Sequence, residues 1–86
     1  MNSSEKFREK ITKVIYAAVA KTMNVDVNTL TDETQPIADL GAKSVNFVHI
    51  VSAIEDESGL EVPFMQLRRQ KTIAEMINFA VELYEN

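Results

Sequence analysis

Apolar residues recur at intervals of three and four over residues 7–23, which is the spacing of one face of an α-helix. This stripe consists of Phe7, Ile11, Val14, Ile15, Ala18, Val19 and Met23. The pattern predicts a first helix over residues 7–23 that ends at Asn24.

The next stretch, residues 25–41, shows no sustained period and is rich in Asp, Asn and Thr, with a proline at position 36. These features predict a long loop. A loop of this length in a small domain needs apolar residues to hold it against the core. The candidates are Val25, Leu30, Ile37 and Leu40.

A second helix is predicted from Ser44, which follows Gly41, to Ser58 and Gly59. Its apolar positions cover a wide arc and include Val45, Phe47, Val48, Ile50, Val51 and Ile54. So wide an arc suggests that this helix contacts several others.

The remaining residues predict one short helix and one longer helix. Pro63 suits the start of a short third helix over residues 64–67. Thr72 and Glu75 have the spacing of a capping box, which opens a last helix running to Tyr84. No segment alternates with period two, so we expect a single all-α domain over residues 1–86. It would be a four-helix bundle with three main helices, one short third helix and a long loop between helices 1 and 2.

The composition argues against several kinds of chemistry. The chain has no cysteine and a single histidine, so disulfides, thiolate nucleophiles and Cys- or His-rich metal sites are not expected. The net charge is −4, and residues 24–63 carry eight acidic side chains against Lys43 alone. This acidic middle disfavours nucleic acid as a partner. The longest apolar run, VIYAAVA, is too short to span a membrane. We therefore expect a cytoplasmic monomer that binds no membrane.

Few residues suggest catalysis or metal binding. His49 has no evident partner for acid–base work, so a surface position is the favoured interpretation. The consecutive acids Glu55, Asp56 and Glu57 diverge around a helix axis and suggest a solvated face rather than a metal site. We do not expect an enzyme.

Ser44 has two interpretations on physical grounds alone. A serine at the start of a helix is commonly an N-cap, which contributes ~1 kcal/mol to stability. It could instead be an attachment point, because a phosphate on its oxygen would lie at the positive end of the helix dipole. The spacing of residues in the sequence does not decide between a helix cap and an attachment point. The basic first helix could also lie on an anionic membrane, although its apolar face is needed for the core.

The chain resembles an acyl carrier protein over nearly its whole length. The matching features are the long first helix and loop, Leu40-Gly41-x-x-Ser44-Val45, the acidic Glu55-Asp56-Glu57, Gly59-Leu60-Glu61-Val62-Pro63, and Lys71-Thr72-Ile73 at the start of the last helix. The resemblance implies that Ser44 carries a covalent 4′-phosphopantetheine arm derived from coenzyme A. The thiol of that arm would hold acyl groups as thioesters in a protein that has no cysteine.

The resemblance also implies roles for other residues. Partner enzymes would contact Lys43, Val45, Asn46, His49, Glu55 and Asp56, and an acyl chain would be sheltered by Val48, Ile50, Val51, Ile54, Ile73 and Ile77. The partners would be a phosphopantetheinyl transferase and the acyl transferases, ketosynthases or ligases of one pathway. The alternative is a carrier-like helical interaction module whose serine is never modified.

The chain departs from the family pattern near Ser44. Lys43 stands where the family commonly has Asp, and Asn46 and His49 stand where acids are frequent. Since surface charge governs partner choice and on-rate, these departures suggest a specialised carrier of a lipid or polyketide-type pathway with dedicated partners.

Overall fold

Helices are the only extended regular elements in the computed structural model, which describes residues 2–86. In chain order they are α1 (Ser3–Met23), α2 (Pro36–Leu40), α3 (Ser44–Ser58), α4 (Phe64–Arg68) and α5 (Ile73–Glu85), with a 3₁₀ turn at Val27–Thr29. No strand occurs within residues 2–86. The predicted all-α fold and its four helices are confirmed, and α2 is a fifth that the sequence analysis missed.

Helix α1 begins four residues before the predicted start. The side chain of Asn2 accepts a hydrogen bond of 2.8 Å from the backbone N–H of Glu5, which caps the first turn. Hydrophobic spacing could not reveal this polar turn. The helix ends at Asn24 as predicted, because this residue adopts a left-handed conformation with φ of 55°.

The core lies where α1 packs against α3 and α5. Helix α1 contributes Ile11, Ile15 and Val19, all fully buried, and α3 contributes Phe47 and Ile54. Helix α4 packs against α3. The short helices therefore depend on the three long ones.

Helix α2 corrects the prediction that residues 25–41 form only a loop. Its five residues are too few to display a helical period, but its ends carry local signals. Pro36 occupies the first turn, and the side chain of Asp39 accepts a 2.8 Å hydrogen bond from the N–H of Gln35. Gly41 ends the helix with φ of 74°.

The predicted apolar anchors of this segment are confirmed in part. Leu30 is buried, and Val25 and Leu40 pack against the core. Ile37 is 47% exposed, so the anchoring role predicted for it is wrong. The buried Pro36 takes that role.

The segment before α2 is also tied to α5 and α1 by polar contacts. The carbonyls of Thr34 and Asp32 accept hydrogen bonds of 3.0 and 2.9 Å from the N–H groups of Ile73 and Ala74, in the first turn of α5. The hydroxyl of Tyr16 on α1 donates to Asp32 Oδ1 at 2.5 Å. Burial and the Asp32 carboxylate raise the pKa of Tyr16 to about 12.

We expect Ile54→Ala to lower the free energy of unfolding by ~2–5 kcal/mol, because it removes most of a fully buried side chain and leaves a cavity. Val48→Ala on the same helix is the control, since Val48 is 49% exposed and its truncation should change stability by less than ~0.5 kcal/mol. Urea unfolding monitored by circular dichroism measures both. Equal losses for the two variants would contradict the assigned core.

We expect Tyr16→Phe to lower stability by ~1 kcal/mol at neutral pH, since it removes the hydrogen bond to Asp32. The tyrosine pKa is higher in the folded protein than its ordinary value of 10.0. The contribution of the Tyr16 hydroxyl to the free energy of unfolding is therefore complete below pH 10. It is lost as the pH rises towards about 12.

The difference in stability between wild type and Tyr16→Phe should accordingly shrink over that alkaline range, as followed by urea unfolding at several pH values. Tyr84→Phe is a matched control, because the Tyr84 ring stacks on Phe7 at 4.2 Å and the stack needs no hydroxyl. If the stability difference between wild type and Tyr16→Phe stayed constant with pH, the hydrogen bond between Tyr16 and Asp32 would be refuted.

Candidate functional site

Ser44 is the first residue of α3, and its side chain is exposed. The N-cap is Lys43, whose backbone is extended, so the alternative interpretation of Ser44 as the N-cap is wrong. The capping contact comes from inside the helix, where Asn46 Oδ1 accepts a 2.8 Å hydrogen bond from the N–H of Lys43. The hydroxyl of Ser44 is thus not needed to start α3.

The backbone around Ser44 provides an environment suited to a phosphate. The carbonyl of Lys43 accepts the N–H groups of Asn46 and Phe47, at 2.9 and 3.3 Å. The N–H groups of Ser44 and Val45 lie in the first turn, where a helix offers no carbonyl to receive them. A phosphate on Ser44 Oγ would be close to these amides, to the positive helix end and to the side chain of Lys43.

The chain is held in place on the N-terminal side of Ser44. The N–H groups of Gly41 and Ala42 donate to the carbonyls of Ile37 and Pro36, at 3.0 and 2.9 Å. Ala42 is buried in the core. These contacts tie the connection between α2 and α3 to the fold just before Ser44.

Asn46 joins this site to α1. Its side chain is half-buried, and Nδ2 donates to Oγ1 and the carbonyl of Thr22, at 3.0 and 3.3 Å. Asn46 is thus held by contacts within the fold, and its predicted place on the partner surface stays a prediction. The contribution of Thr22 was missed, because nothing in its local sequence signals a contact with a residue so distant along the chain.

Glu55 is likewise used inside the fold. It is half-buried, and its Oε2 accepts a 2.9 Å hydrogen bond from the N–H of Val62. This contact fixes the turn between α3 and α4. The other carboxylate oxygen has no such partner within residues 2–86, so the surface role predicted for Glu55 stays a prediction.

Four of the predicted partner residues are exposed, namely Lys43, Val45, His49 and Asp56. Val45 is 59% exposed, the largest value among the exposed large apolar residues of the described chain. His49 and Asp56 border a groove of about 480 Å³ between α1 and α3. The other residues lining it are Ala18, Lys21, Thr22, Ser52 and Ala53.

The predicted acyl-chain residues are buried with one exception. Ile50, Val51, Ile54, Ile73 and Ile77 all belong to the core cluster. Val48 is 49% exposed, so its predicted interior position is wrong. The reason is that Val48 lies four residues after Ser44, which puts both on the same outward side of α3.

Within residues 2–86, no group of three His, Cys, Asp or Glu side chains is placed to hold a metal ion. None of the helices in that part of the chain is both long and apolar enough to cross a membrane.

The sequence comparisons agree with this geometry. The family model described as "Phosphopantetheine attachment site" matches residues 13–80. Curated acyl carrier proteins of Helicobacter pylori strains G27 and HPAG1 are each 31% identical over 65 residues, which cover 76% of this chain and 83% of the relative. The chain belongs to the acyl carrier proteins of the phosphopantetheine-attachment family.

Membership of this family defines the chain as a carrier and not an enzyme. It implies a covalently attached 4′-phosphopantetheine and interaction with the transferase and synthase enzymes of a pathway. The residues around Ser44 fit such a group, because the exposed hydroxyl lies beside unpaired amides and a lysine.

We expect Asn46→Ala to lower the free energy of unfolding by about 1–2 kcal/mol, because it removes both the cap on Lys43 and the contact with Thr22. Asn46→Asp retains an acceptor for the N–H of Lys43 and loses only the donor, so its loss should be smaller. Urea unfolding compares them, with Lys43→Ala as the exposed control. Wild-type stability of Asn46→Ala would exclude this link.

Proposed function

We propose that this chain carries acyl groups as thioesters on a 4′-phosphopantetheine arm attached to Oγ of Ser44. The observation that carries the proposal is an exposed serine at the first position of α3 that is not the N-cap. The arm would supply a thiol that the polypeptide lacks, since the chain has no cysteine.

The role of the protein is to hold and present this attachment point. The amides of Ser44 and Val45 would stabilise the phosphodiester through the positive end of α3. Lys43 would add a positive charge beside it. Asn46 keeps the start of α3 against α1 and is a positioning residue.

The interior between α3 and α5 would shelter a bound acyl chain. Ile50, Val51 and Ile54 from α3 and Ile73 and Ile77 from α5 present only hydrocarbon to this space. A chain that entered there would have to displace packed side chains, because protein interiors contain few voids.

The charge near Ser44 suggests a specialised carrier of a lipid or polyketide-type pathway. Lys43 and His49 replace acids that are frequent in the family, so basic surfaces on general fatty-acid enzymes would bind this face less well. We infer that the chain is a cytoplasmic monomer. It would act with its own phosphopantetheinyl transferase and with dedicated acyl transferases, ketosynthases or ligases.

The proposal predicts a gain of one phosphopantetheine in intact mass when the purified protein is incubated with coenzyme A, magnesium and a broad-specificity phosphopantetheinyl transferase. Ser44→Ala should show no gain and should keep wild-type stability, because Ser44 caps nothing. Ser52→Ala, which removes another exposed hydroxyl of α3, is the matched control and should be modified normally.

Modification of Ser44→Ala would place the arm elsewhere. If the wild type gains no mass, Lys43→Asp decides between two explanations. A gain in that variant would mean that Lys43 deters this transferase, whereas no gain would favour an unmodified interaction module.

A further inference from the structure

A second cleft lies between α2 and the connection from α4 to α5, away from the groove between α1 and α3. Its volume is about 340 Å³, within the range of small-ligand sites. The residues that line it are Gln35, Ile37, Ala38, Arg68, Arg69, Gln70 and Lys71.

The charges of this cleft are all positive. Arg68, Arg69 and Lys71 are the only basic residues in the last 23 positions of the sequence. No acidic side chain of the described chain lines the cleft, and none within residues 2–86 forms an ion pair with these three cations. Nearby carboxylates are those of Asp39 and Glu75, which accept hydrogen bonds from the backbone N–H groups of Gln35 and Lys71. Three like charges that repel each other are thus gathered in a protein whose net charge is −4.

Arg68, which lines the cleft, has a side-chain donor without a partner. Its Nε is buried, and no atom of residues 2–86 accepts a hydrogen bond from it. A buried donor without a partner costs free energy unless a ligand or water completes it. Arg68 and Arg69 lie at the C-terminal end of α4, where the helix dipole favours cations. The dipole accounts neither for the buried Nε of Arg68 nor for the presence of Lys71, which lies beyond α4.

We propose that this cleft is a binding site for a phosphate group. Arginine presents a planar set of donors that matches phosphate oxygens in pairs, and lysine adds a compact positive charge. The carboxamide of Gln35 offers a further neutral donor. A phosphate with two or more negative charges balances three cations better than a single carboxylate does.

The phosphate would belong to a free molecule and not to an arm on Ser44. The phosphorus of such an arm is bonded directly to Ser44 Oγ, so it stays at the start of α3. Ser44 lies seven residues after Ile37 in the chain and does not line the cleft. The site therefore does not depend on the proposed function.

The test is a titration of the unmodified protein with inorganic pyrophosphate, followed through the backbone amide signals in nuclear magnetic resonance spectra. We expect a saturable shift of the signals from residues 35–38 and 68–71. Arg68→Gln/Arg69→Gln should weaken binding by about tenfold or more, since each loses charge-assisted hydrogen bonds. Arg69→Gln/Lys71→Gln, with both changes at exposed positions, repeats the test without disturbing Arg68.

The matched control is Lys6→Gln/Lys13→Gln, which removes the same charge from exposed positions of α1. Its binding should be nearly unchanged. Equal weakening by the control and the cleft variants, or equal shifts along α1, would mean general charge attraction and would overturn the site. A tetraglutamate peptide that bound the cleft more tightly than pyrophosphate would overturn the assignment to phosphate.

The same titration of the holo protein checks this independence. A phosphodiester held at the start of α3 leaves the cleft open, so the apo and holo forms should bind pyrophosphate equally. Clearly weaker binding by the holo form would overturn a site for a free phosphate. A chain that is never modified at Ser44 still gives a result with the apo protein, so failure of the site and failure of the carrier function are distinguishable.

Discussion

Burial of one face of α1 against α3 and α5 is the interaction on which the rest of the molecule depends. A chain of this size buries only ~60% of its unfolded surface, so most of its stability must come from one continuous apolar seam. Ile11, Ile15 and Val19 form that seam on α1 and are inaccessible to solvent. The short helices α2 and α4 could not form alone, because helices below about 12 residues are marginal in water. Their positions, and that of Ser44 at the start of α3, depend on this buried interface.

Polar side chains hold the connecting segments that lie outside this buried apolar interface. Tyr16 ties Asp32 to α1, Asn46 ties the start of α3 to Thr22, and Glu55 ties the end of α3 to the next turn. Asn46 and Glu55 are half-buried where they make these contacts. Lys43 and Val45 remain exposed beside Ser44, so a partner that docked there would meet a positive charge next to an apolar side chain.

The sequence predicts those parts of the structure whose signals are local or periodic. The stripes of α1, α3 and α5 and the capping pair Thr72 and Glu75 were all readable, because each lies within a few turns of one helix. Helix α2 was missed because five residues do not complete two turns. Val48 was placed inside by the resemblance, and the broad apolar arc of α3 does not by itself show that this residue faces outward. The contacts of Asn46 and Glu55 within the fold were not predicted, because the residues they bind lie 24 and 7 positions away in the chain. The role of Ser44 was assigned by resemblance. Only the structure shows that Ser44 is not the N-cap of α3.

Gly41 has a consequence for how such a carrier would deliver its cargo. A glycine before a functional serine suggests a hinge, yet here its left-handed backbone and the bonds of Gly41 and Ala42 to α2 hold the connection in one conformation. All the freedom to move would then belong to the single bonds of the arm beyond Ser44 Oγ. The thioester would explore a region centred on a fixed pivot, and its effective concentration in a docked enzyme's active site would be set by the length of the arm. Selection of one enzyme over another would thus be decided by how each docks against the rigid helices, before the cargo reaches any active site.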